Sequence, residues 1–285
     1  MSEEHITKPK KIDYFQVPQE LWRRIEPCLP PEPERQGAGR PRAHQRAIWN
    51  GIWYHLWTGC QWKAIHRTWF GVCSSVIHER FQRWQQSGVF DAILRTVVEF
   101  YAERQGIGWS WQSVDSKLSP APLADDGCGR NPTDRGKQGS KIHLLVDERG
   151  APLALHVTAA NQHDKWSADD LIIAIVVERP DATEVEQHFC ADKGYDYDDV
   201  HAVVEQAEYI PHIKHRRRRN EPKPEQCPIP GELRYPARRW VVERTFAWLN
   251  KRRAIRIRWT KKACNWFALL QFACAHILLD MAIYG

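Results

Sequence analysis

Apolar residues recur at helical spacing through the first hundred residues of the chain. The clearest run lies within residues 43–58, and Gly59 is placed to end that helix in a left-handed conformation. Further helices are predicted over residues 19–28, from 74 or 75 to 86, and over 91–104. The pattern therefore predicts a helical N-terminal domain over residues 1–105.

Beyond residue 106 the pattern changes to short apolar runs separated by polar turns. Strands are predicted over 109–115, 141–146, 153–159, 185–191 and 209–213, and helices over 164–178, 196–206, 237–253 and 263–284. Three strands followed by alternating helices and strands predict a mixed sheet with helices on its faces. The second domain, residues 106–285, is therefore expected to be of the α/β class.

The last helical run, residues 263–284, is long enough to cross a membrane. It contains polar and charged residues that a bilayer tolerates poorly, namely Asn265, Gln271, His276 and Asp280. We therefore expect a buried helix and no membrane partner. The N-terminal residues show no apolar core typical of a signal peptide, and the eight cysteines have no zinc-ligand spacing. Reduced thiols in a cytoplasmic protein are expected.

Charge is unevenly distributed along the chain. Residues 106–205 carry 9 Lys and Arg against 18 Asp and Glu, whereas residues 206–262 carry 17 against 5. An enzyme that acts on a polyanion with bound cations needs both kinds of surface, because carboxylates hold the cations and basic groups neutralise phosphates. Uneven surface charge without any such function gives the same totals. Charge alone leaves both interpretations open.

Three carboxylates stand where chemistry is expected in such a fold. Asp115 and Asp192 are predicted at or just beyond the ends of two strands, where open α/β sheets place ligands. Glu243 lies within the basic helix predicted over 237–253, where a single glutamate also suits a structural ion pair. Together the three could hold two divalent ions such as Mg²⁺, which prefer carboxylate oxygens and support in-line phosphoryl transfer.

Several longer motifs resemble one family of proteins. They are SVDSK at 113–117, the segment from GRNPTDRGKQGSK to TAANQHD at 129–164, ADKGYD at 191–196 and RRWVVERTFAWLNKRR at 238–253. These segments, with WRRIEPCLP at 22–30, WNGIWYHLWTGCQWKAI at 49–65 and FQRWQQSGVF at 81–90, resemble DDE transposases of the IS5 family of bacterial insertion sequences. The resemblance covers nearly the whole chain, in order.

The resemblance implies a ribonuclease-H-like catalytic domain with Asp115, Asp192 and Glu243 as its catalytic and metal-binding triad. It implies two Mg²⁺ ions, for which Mn²⁺ would substitute. The expected partners are double-stranded DNA, as transposon ends and target, and a second copy of the chain in a homodimer on DNA. The matching location is the bacterial cytoplasm, in association with the nucleoid.

Basic and polar side chains are predicted to contact DNA. In related transposases an Arg precedes the catalytic Glu by four residues, as Arg239 does, and a Lys follows it near the position of Lys251. The last helix of a helix-turn-helix unit would present His78, Gln82 and Arg83, although such a polar face is more often simply solvated. The remaining predicted contacts are Arg40, Arg42, Lys141, Lys214, Arg216, Arg217, Arg218 and Arg219. The tryptophans at 49, 53, 57, 62 and 84 are expected in the core.

Two further points stay open from the sequence. His163 and Asp164 lie where a helix begins, and Asp164 is as well explained as its N-terminal cap as by a substrate role. The overall function also has two alternatives. One is a DNA-binding protein derived from a transposase that has lost activity, and the other is a nuclease of the same fold without strand transfer.

Overall fold

A computed structural model describes residues 11–32, 42–216 and 238–285. Its residue contacts divide the chain into two compact units. The first unit comprises Met1–Gln105 together with Leu249–Gly285, and the second comprises Gly106–Trp248. Both ends of the chain therefore belong to the first unit, which we call the helical unit. The second is called the sheet unit.

The helical unit is built from short and medium helices. Its described helices are α1 (Gln19–Ile25), α2 (Gln45–Thr58), α3 (Arg67–Phe70), α4 (Ser74–Gln86), α5 (Val89–Gln105), α9 (Arg253–Arg256) and α10 (Ala263–Tyr284). Gly59 ends α2 at a φ of 65°, as the sequence predicts, because a residue without Cβ adopts this left-handed conformation at little cost. The helical character of the N-terminal region is confirmed.

Aromatic side chains fill the core of the helical unit. Trp49 of α2 stacks on Trp84 of α4 with ring centroids 5.0 Å apart, and Phe272 of α10 meets Trp49 edge-on at 5.1 Å. Trp53 and Trp57 are also buried, whereas Trp62 is only half-buried. The prediction that these tryptophans belong to the core therefore holds for four of the five. Each buried ring contributes a large apolar area to stability.

Helix α10 belongs to the helical unit, although the sequence assigned it to the second domain. Most of its residues are buried, on all sides of the helix, so it needs neighbours around its whole circumference. Helix α5 is one of them, since Gln271 of α10 hydrogen-bonds Asp91 at 2.5 Å. Among the described residues α10 alone is long and apolar enough to cross a membrane, and 78% of its most apolar segment is buried within the protein.

The sheet unit contains one mixed sheet. Its described strands are β1 (Trp111–Pro120), β2 (Gly129–Arg130), β3 (Gln138–Val146), β4 (Pro152–Ala159), β5 (His188–Ala191) and β6 (Ile210–Ile213). The spatial order is β4-β3-β1-β5-β6, with the two-residue β2 paired to the start of β3. Strands β1, β3 and β4 are antiparallel neighbours, and β5 and β6 run parallel to β1. This is the ribonuclease-H-like arrangement that the resemblance implied.

Helices and turns of the sheet unit follow the strands in the predicted order. The described helices are α6 (Ser167–Ile173), α7 (Asp198–Gln206) and α8 (Trp240–Leu249). Strands β3 and β4 form the predicted hairpin around Asp147, whose buried carboxylate accepts hydrogen bonds from the backbone of Arg149 and Ala151. Helix α6 is shorter than the predicted 164–178, because Val176 instead donates its backbone N–H to Leu153 in β4.

Strand β1 is longer than predicted and continues beyond the end of its pairing with β5. It pairs with β5 only over Trp111–Ser113, whereas its pairing with β3 continues from Ser113 to Pro120. Strand β5 ends at Ala191. Asp115 therefore lies within β1 rather than at its end, just past the point where β1 and β5 separate.

Helix α8 is fixed to the sheet through backbone acceptors. Thr245 donates a hydrogen bond from its hydroxyl to the carbonyl of Gly150 at 2.7 Å, and Arg244 donates to the carbonyl of Arg149 at 2.5 Å. Gly150 has a φ of 87°, and a Cβ at this position would lie 2.8 Å from the Thr245 hydroxyl oxygen. The close approach of the β3–β4 turn to α8 therefore requires glycine at position 150.

Replacing Gly150 tests this contact. We expect Gly150→Ala to lower the free energy of unfolding by about 2–4 kcal/mol, because the left-handed backbone costs about 1–2 kcal/mol and the overlap with Thr245 adds to it. Gly136→Ala is the matched control, since Gly136 also has a positive φ but open space around the Cβ position. Its expected loss is about 1 kcal/mol. Urea unfolding midpoints measure both, and equal losses would contradict the packing role of Gly150.

Candidate active site

The side chain of Asp115 faces helix α8. Ser113 donates a hydrogen bond from its hydroxyl to the carbonyl of Arg238, just before α8, at 3.4 Å. Because alternate residues of a strand share a face, Asp115 points to the same side of the sheet as Ser113. The backbone N–H of Ser116 donates to the Asp115 carboxylate at 2.8 Å and holds it in place.

Asp192 follows β5 directly and organises the turn that comes next. Its carboxylate accepts a hydrogen bond from the backbone N–H of Gly194 and so caps the short 3-10 helix Lys193–Tyr195. A Cβ on residue 194 would lie 2.7 Å from the Asp192 carboxylate oxygen. Glycine at position 194 therefore lets the turn close against the carboxylate.

Glu243 lies one turn into α8 and forms an ion pair with Arg239, four residues earlier. The guanidinium of Arg239 lies 3.0 Å from a Glu243 carboxylate oxygen and 3.8 Å from one of Asp192. Arg239 thus bridges two of the three predicted ligands. The ion-pair role that the sequence left open for Glu243 is present, and it occurs within the acidic cluster itself.

The three carboxylates affect one another electrostatically. Burial raises the pKa of Asp115 from 3.8 to about 6, and the charges of Asp192 and Glu243 raise it further, while the Ser116 N–H and Arg239 act in the opposite direction. Asp115, Asp192 and Glu243 therefore form one acidic cluster, although they come from a strand, a strand end and a helix.

The cluster is suited to hard divalent cations. Its donors are all carboxylate oxygens, the ligands that Mg²⁺ and Mn²⁺ prefer. The position between Asp192 and Glu243 already accepts positive charge, because the Arg239 guanidinium stands there. In this arrangement, no three Asp, Glu, His or Cys side chains in the described ranges are close enough to hold one ion. A cation bound between Asp192 and Glu243 would take the place of the Arg239 guanidinium.

A cleft of about 380 Å³ adjoins Asp192 and Glu243. Cys190 and His212 also line it, from strands β5 and β6. Its basic and aromatic lining residues are Lys193, Lys214, Arg239 and Trp240. Carboxylates and basic side chains thus share one cleft, which is the combination that a cation-dependent reaction on a phosphodiester needs.

The structure places some predicted DNA contacts in or beside this cleft. Lys214 is exposed and lines it. Arg216 is exposed, and its guanidinium donates to the hydroxyl of Tyr197 at 2.9 Å. Lys251 is exposed but belongs to the helical unit. Arg40, Arg217, Arg218 and Arg219 lie outside the described residues.

Lys141 is not placed where it could contact DNA. Its side chain is only 9% exposed, and its ammonium group lies 2.8 Å from the carboxylate of Asp164 and donates to the carbonyl of Gln162 at 2.7 Å. The start of the following helix also differs from one of the two interpretations left open for Asp164. His163, rather than Asp164, caps the 3-10 helix that follows, because its ring nitrogen accepts from the backbone N–H of Lys165.

Several side chains of the helical unit that were predicted to contact DNA interact with neighbouring residues of the same unit. Arg42 and Arg83 are exposed and form ion pairs with Glu32 at 3.0 Å and with Glu79 at 2.6 Å. His78 is half-buried and stacks on Trp62 with ring centroids 5.1 Å apart, and burial lowers its pKa. Gln82 is half-buried. Arg83 is therefore the most accessible of the three side chains predicted on α4.

Among the lining residues of the cleft that were not predicted from the sequence are Trp240 and His212. Trp240 stands three residues before Glu243 and so lies on the same side of the helix, a signal that was available. The sequence offered no such signal for His212. This residue lies beside the cleft because β6 pairs in parallel with β5, with His212 opposite Cys190.

The chain matches known proteins over both regions. Residues 17–94 match a family described as putative transposase of IS4/5 family, and residues 112–278 match the transposase DDE domain. A putative transposase for insertion sequence element IS402 from Burkholderia cepacia is 35% identical over 156 residues, which are 52% of this chain and 67% of that protein. An IS402 uncharacterized 16.2 kDa protein from the same organism is 33% identical over 119 residues, 41% of this chain and 80% of the other.

Solved structures give a weaker similarity. The Mos1 mariner paired end complex with Mn is 8% identical, with 88% of this chain and 81% of that chain covered and a TM-score of 0.27. The sequence matches carry the assignment. The strand order, the acidic cluster and the basic cleft define the class as proteins with a ribonuclease-H-like fold. Within this class, the chain belongs to the DDE transposases of the IS4/5 family.

The bridging position of Arg239 leads to a prediction about cation binding. Arg239→Gln removes the guanidinium charge that competes for Asp192 and Glu243, so we expect the affinity for Mn²⁺ without DNA to rise about fivefold to tenfold. Isothermal titration calorimetry measures this affinity. Arg238→Gln is the matched control, because Arg238 is 4.0 Å from Glu148 and forms no described ion pair with the cluster. Equal affinities in the two variants would show that Arg239 does not compete.

Proposed function

We propose that this transposase cleaves DNA at the ends of its insertion sequence and joins the freed 3′-hydroxyl to target DNA. The observation that carries the proposal is the acidic cluster of Asp115, Asp192 and Glu243 on a ribonuclease-H-like sheet, bordered by a basic cleft. The transposase DDE family to which the chain belongs supports the same reaction. Both chemical steps are phosphoryl transfers, first to water and then to the 3′-hydroxyl.

Asp115, Asp192 and Glu243 would hold two divalent ions, Mg²⁺ or Mn²⁺. When bound, these ions supply activation of the nucleophile and stabilisation of the leaving oxygen. Lys193 and Lys214 bind the phosphates on either side of the reacting bond, and Arg239 joins them once it leaves Asp192 and Glu243. The partly buried position of Asp115 limits the access of bulk water to that carboxylate.

The helical unit is proposed to recognise the terminal inverted repeats of the element. Helix α4 presents the exposed Arg83 and the half-buried Gln82, and such side chains contact base edges and phosphates in the major groove. Transposition requires two ends to be paired, so we propose a homodimer on DNA in the bacterial cytoplasm. Arg42 is proposed as a phosphate contact of the same unit.

The triad is tested by cleavage of a labelled duplex that carries the element's own end. With Mg²⁺, Asp192→Ala and Glu243→Gln are expected to bind the duplex normally and to cleave it more than about 100-fold more slowly. Glu205→Gln, at an exposed glutamate of α7, is the control that should cleave normally. Cleavage by all variants alike would exclude the triad. Wild type that binds without cleaving would favour an inactive DNA-binding protein.

A target plasmid added to the same reaction separates transposase from nuclease. A transposase yields products in which the labelled end is joined to plasmid DNA. Cleaved ends that are never joined would instead identify a nuclease of the same fold. Ends that carry a 3′-phosphate cannot be joined, so they provide the control for the second step.

Lys214 provides a test of the basic cleft. Lys214→Ala is expected to weaken binding of end DNA and unrelated DNA alike and to reduce the salt dependence of log K by about 1, because one phosphate contact is lost. Gel shifts over a series of salt concentrations measure the slope. Lys137→Ala is the control, since Lys137 is exposed and pairs with Asp134 at 3.3 Å. The same slope for both variants would remove Lys214 from the DNA interface.

A further inference from the structure

The chain leaves the sheet through three exposed basic residues. Strand β6 ends at Ile213, and residues 214–216, which we call the exit segment, follow it. They are a lysine, a histidine and an arginine, and the first of them, Lys214, lines the cleft. Exposed basic side chains bury little apolar surface, so polar contacts determine where the exit segment lies.

One carboxylate, that of Asp196, contacts two of these three residues. It accepts a hydrogen bond from the backbone N–H of Arg216 at 2.6 Å, and the ring of His215 lies 3.0 Å from the same oxygen. His201 of α7 lies 3.1 Å from the second oxygen. Burial by itself raises the pKa of Asp196, but these donors together lower it below its ordinary value. Asp196 is therefore ionised at neutral pH and holds the exit segment from one side.

A second contact joins the exit segment to Tyr197. The guanidinium of Arg216 donates a hydrogen bond to the Tyr197 hydroxyl at 2.9 Å. That hydroxyl lies 3.2 Å from a ring nitrogen of His163, and the ammonium group of Lys165 lies 4.8 Å from the centre of the Tyr197 ring. Lys165 also pairs with Asp199 of α7 at 2.9 Å. Arg216 is thus held through both its backbone and its side chain, by residues that have further partners of their own.

We propose that Asp196 is a positioning residue that holds the exit segment beside the cleft, so that Lys214 is already in place when DNA binds. This inference rests on the proposed function and adds how the cleft is prepared for phosphates. Asp196 is itself an anion, so its charge repels DNA. It favours binding only through the order it imposes, because groups that are ordered in advance lose less entropy on association.

The sign of the change in DNA affinity is the first arm of the test. Asp196→Ala is expected to bind a labelled duplex that carries the element's end about 5- to 30-fold more weakly than wild type, although the substitution removes a negative charge. Asp196→Asn keeps an oxygen that accepts from the Arg216 N–H, so its loss should be smaller. Gel shifts measure these affinities. Binding by Asp196→Ala that is as tight as that of wild type, or tighter, would overturn the inference.

Asp198→Ala is the matched control for charge. Asp198 is exposed and has no described hydrogen bond or ion pair with the exit segment. Its removal takes away the same charge two residues further along the chain, so this variant should bind DNA at least as tightly as wild type. An equal loss of affinity in Asp198→Ala and Asp196→Ala would overturn the role of Asp196.

Salt dependence separates lost order from a lost phosphate contact. Asp196→Ala is expected to keep the wild-type slope of log K against log salt concentration, because Lys214 still reaches its phosphate once the exit segment is ordered on DNA. Lys214→Ala, by contrast, should reduce this slope by about 1. A reduction of about 1 in Asp196→Ala as well would contradict a role in positioning.

Hydrogen exchange of the free protein, without DNA or metal, is the second arm. The Arg216 amide is expected to exchange about 10- to 150-fold faster in Asp196→Ala, because its hydrogen bond to a charged acceptor is lost. Exchange in β6 and α7 should stay as in wild type. Faster exchange throughout both elements would show a merely structural role and overturn the inference. Neither arm involves cleavage, so wild type that binds DNA without cutting it would refute the proposed function alone.

Discussion

Mutual repulsion among three carboxylates is the constraint on which the sheet unit depends. Burial raises the pKa of Asp115 most, and the charges of Asp192 and Glu243 raise it further. Bringing the three carboxylates together in their ionised form therefore opposes folding unless positive charge is nearby. Arg239 supplies that charge here by standing between Asp192 and Glu243. A divalent cation would do so more effectively, because it carries twice the charge and coordinates the oxygens directly. In this structure the cation beside Asp192 and Glu243 is the guanidinium of Arg239.

The sheet and α8 hold the carboxylates in place against this repulsion. Strand β1 pairs with β5 only as far as Ser113. The two strands therefore separate just before Asp115 on β1 and Asp192 after β5. Helix α8 is then fixed by hydrogen bonds to backbone carbonyls, from Thr245 to Gly150 and from Arg244 to Arg149. Backbone acceptors do not depend on neighbouring side-chain rotamers. The position of Glu243 thus follows from the chain path of the β3–β4 turn.

Sequence reasoning succeeded where local pattern and motif agreed. The hairpin and the mixed, ribonuclease-H-like sheet were predicted and are present. Asp115, Asp192 and Glu243 were predicted as a triad, and the structure brings them near one another, while their role as ligands stays a prediction. It failed where a tertiary contact decided the outcome. Lys141 is indistinguishable in sequence from a surface lysine, and only its pairing with Asp164 makes it a buried residue. Likewise, the apolar run of α10 shows that the helix is buried but not against which domain, and the structure places it in the helical unit.

The ionisation of Asp115 has an energetic cost in the folded protein. Its pKa of about 6 lies above the ordinary 3.8, so the ionised carboxylate destabilises the folded state. The penalty is about 3 kcal/mol and is present in full above about pH 6. It declines as the pH falls toward 3.8, and below that value it disappears, because the group is then protonated in both states. A DNA-binding protein gains nothing from this penalty at neutral pH. A cation held by Asp115, Asp192 and Glu243, as the proposed function requires, would offset it.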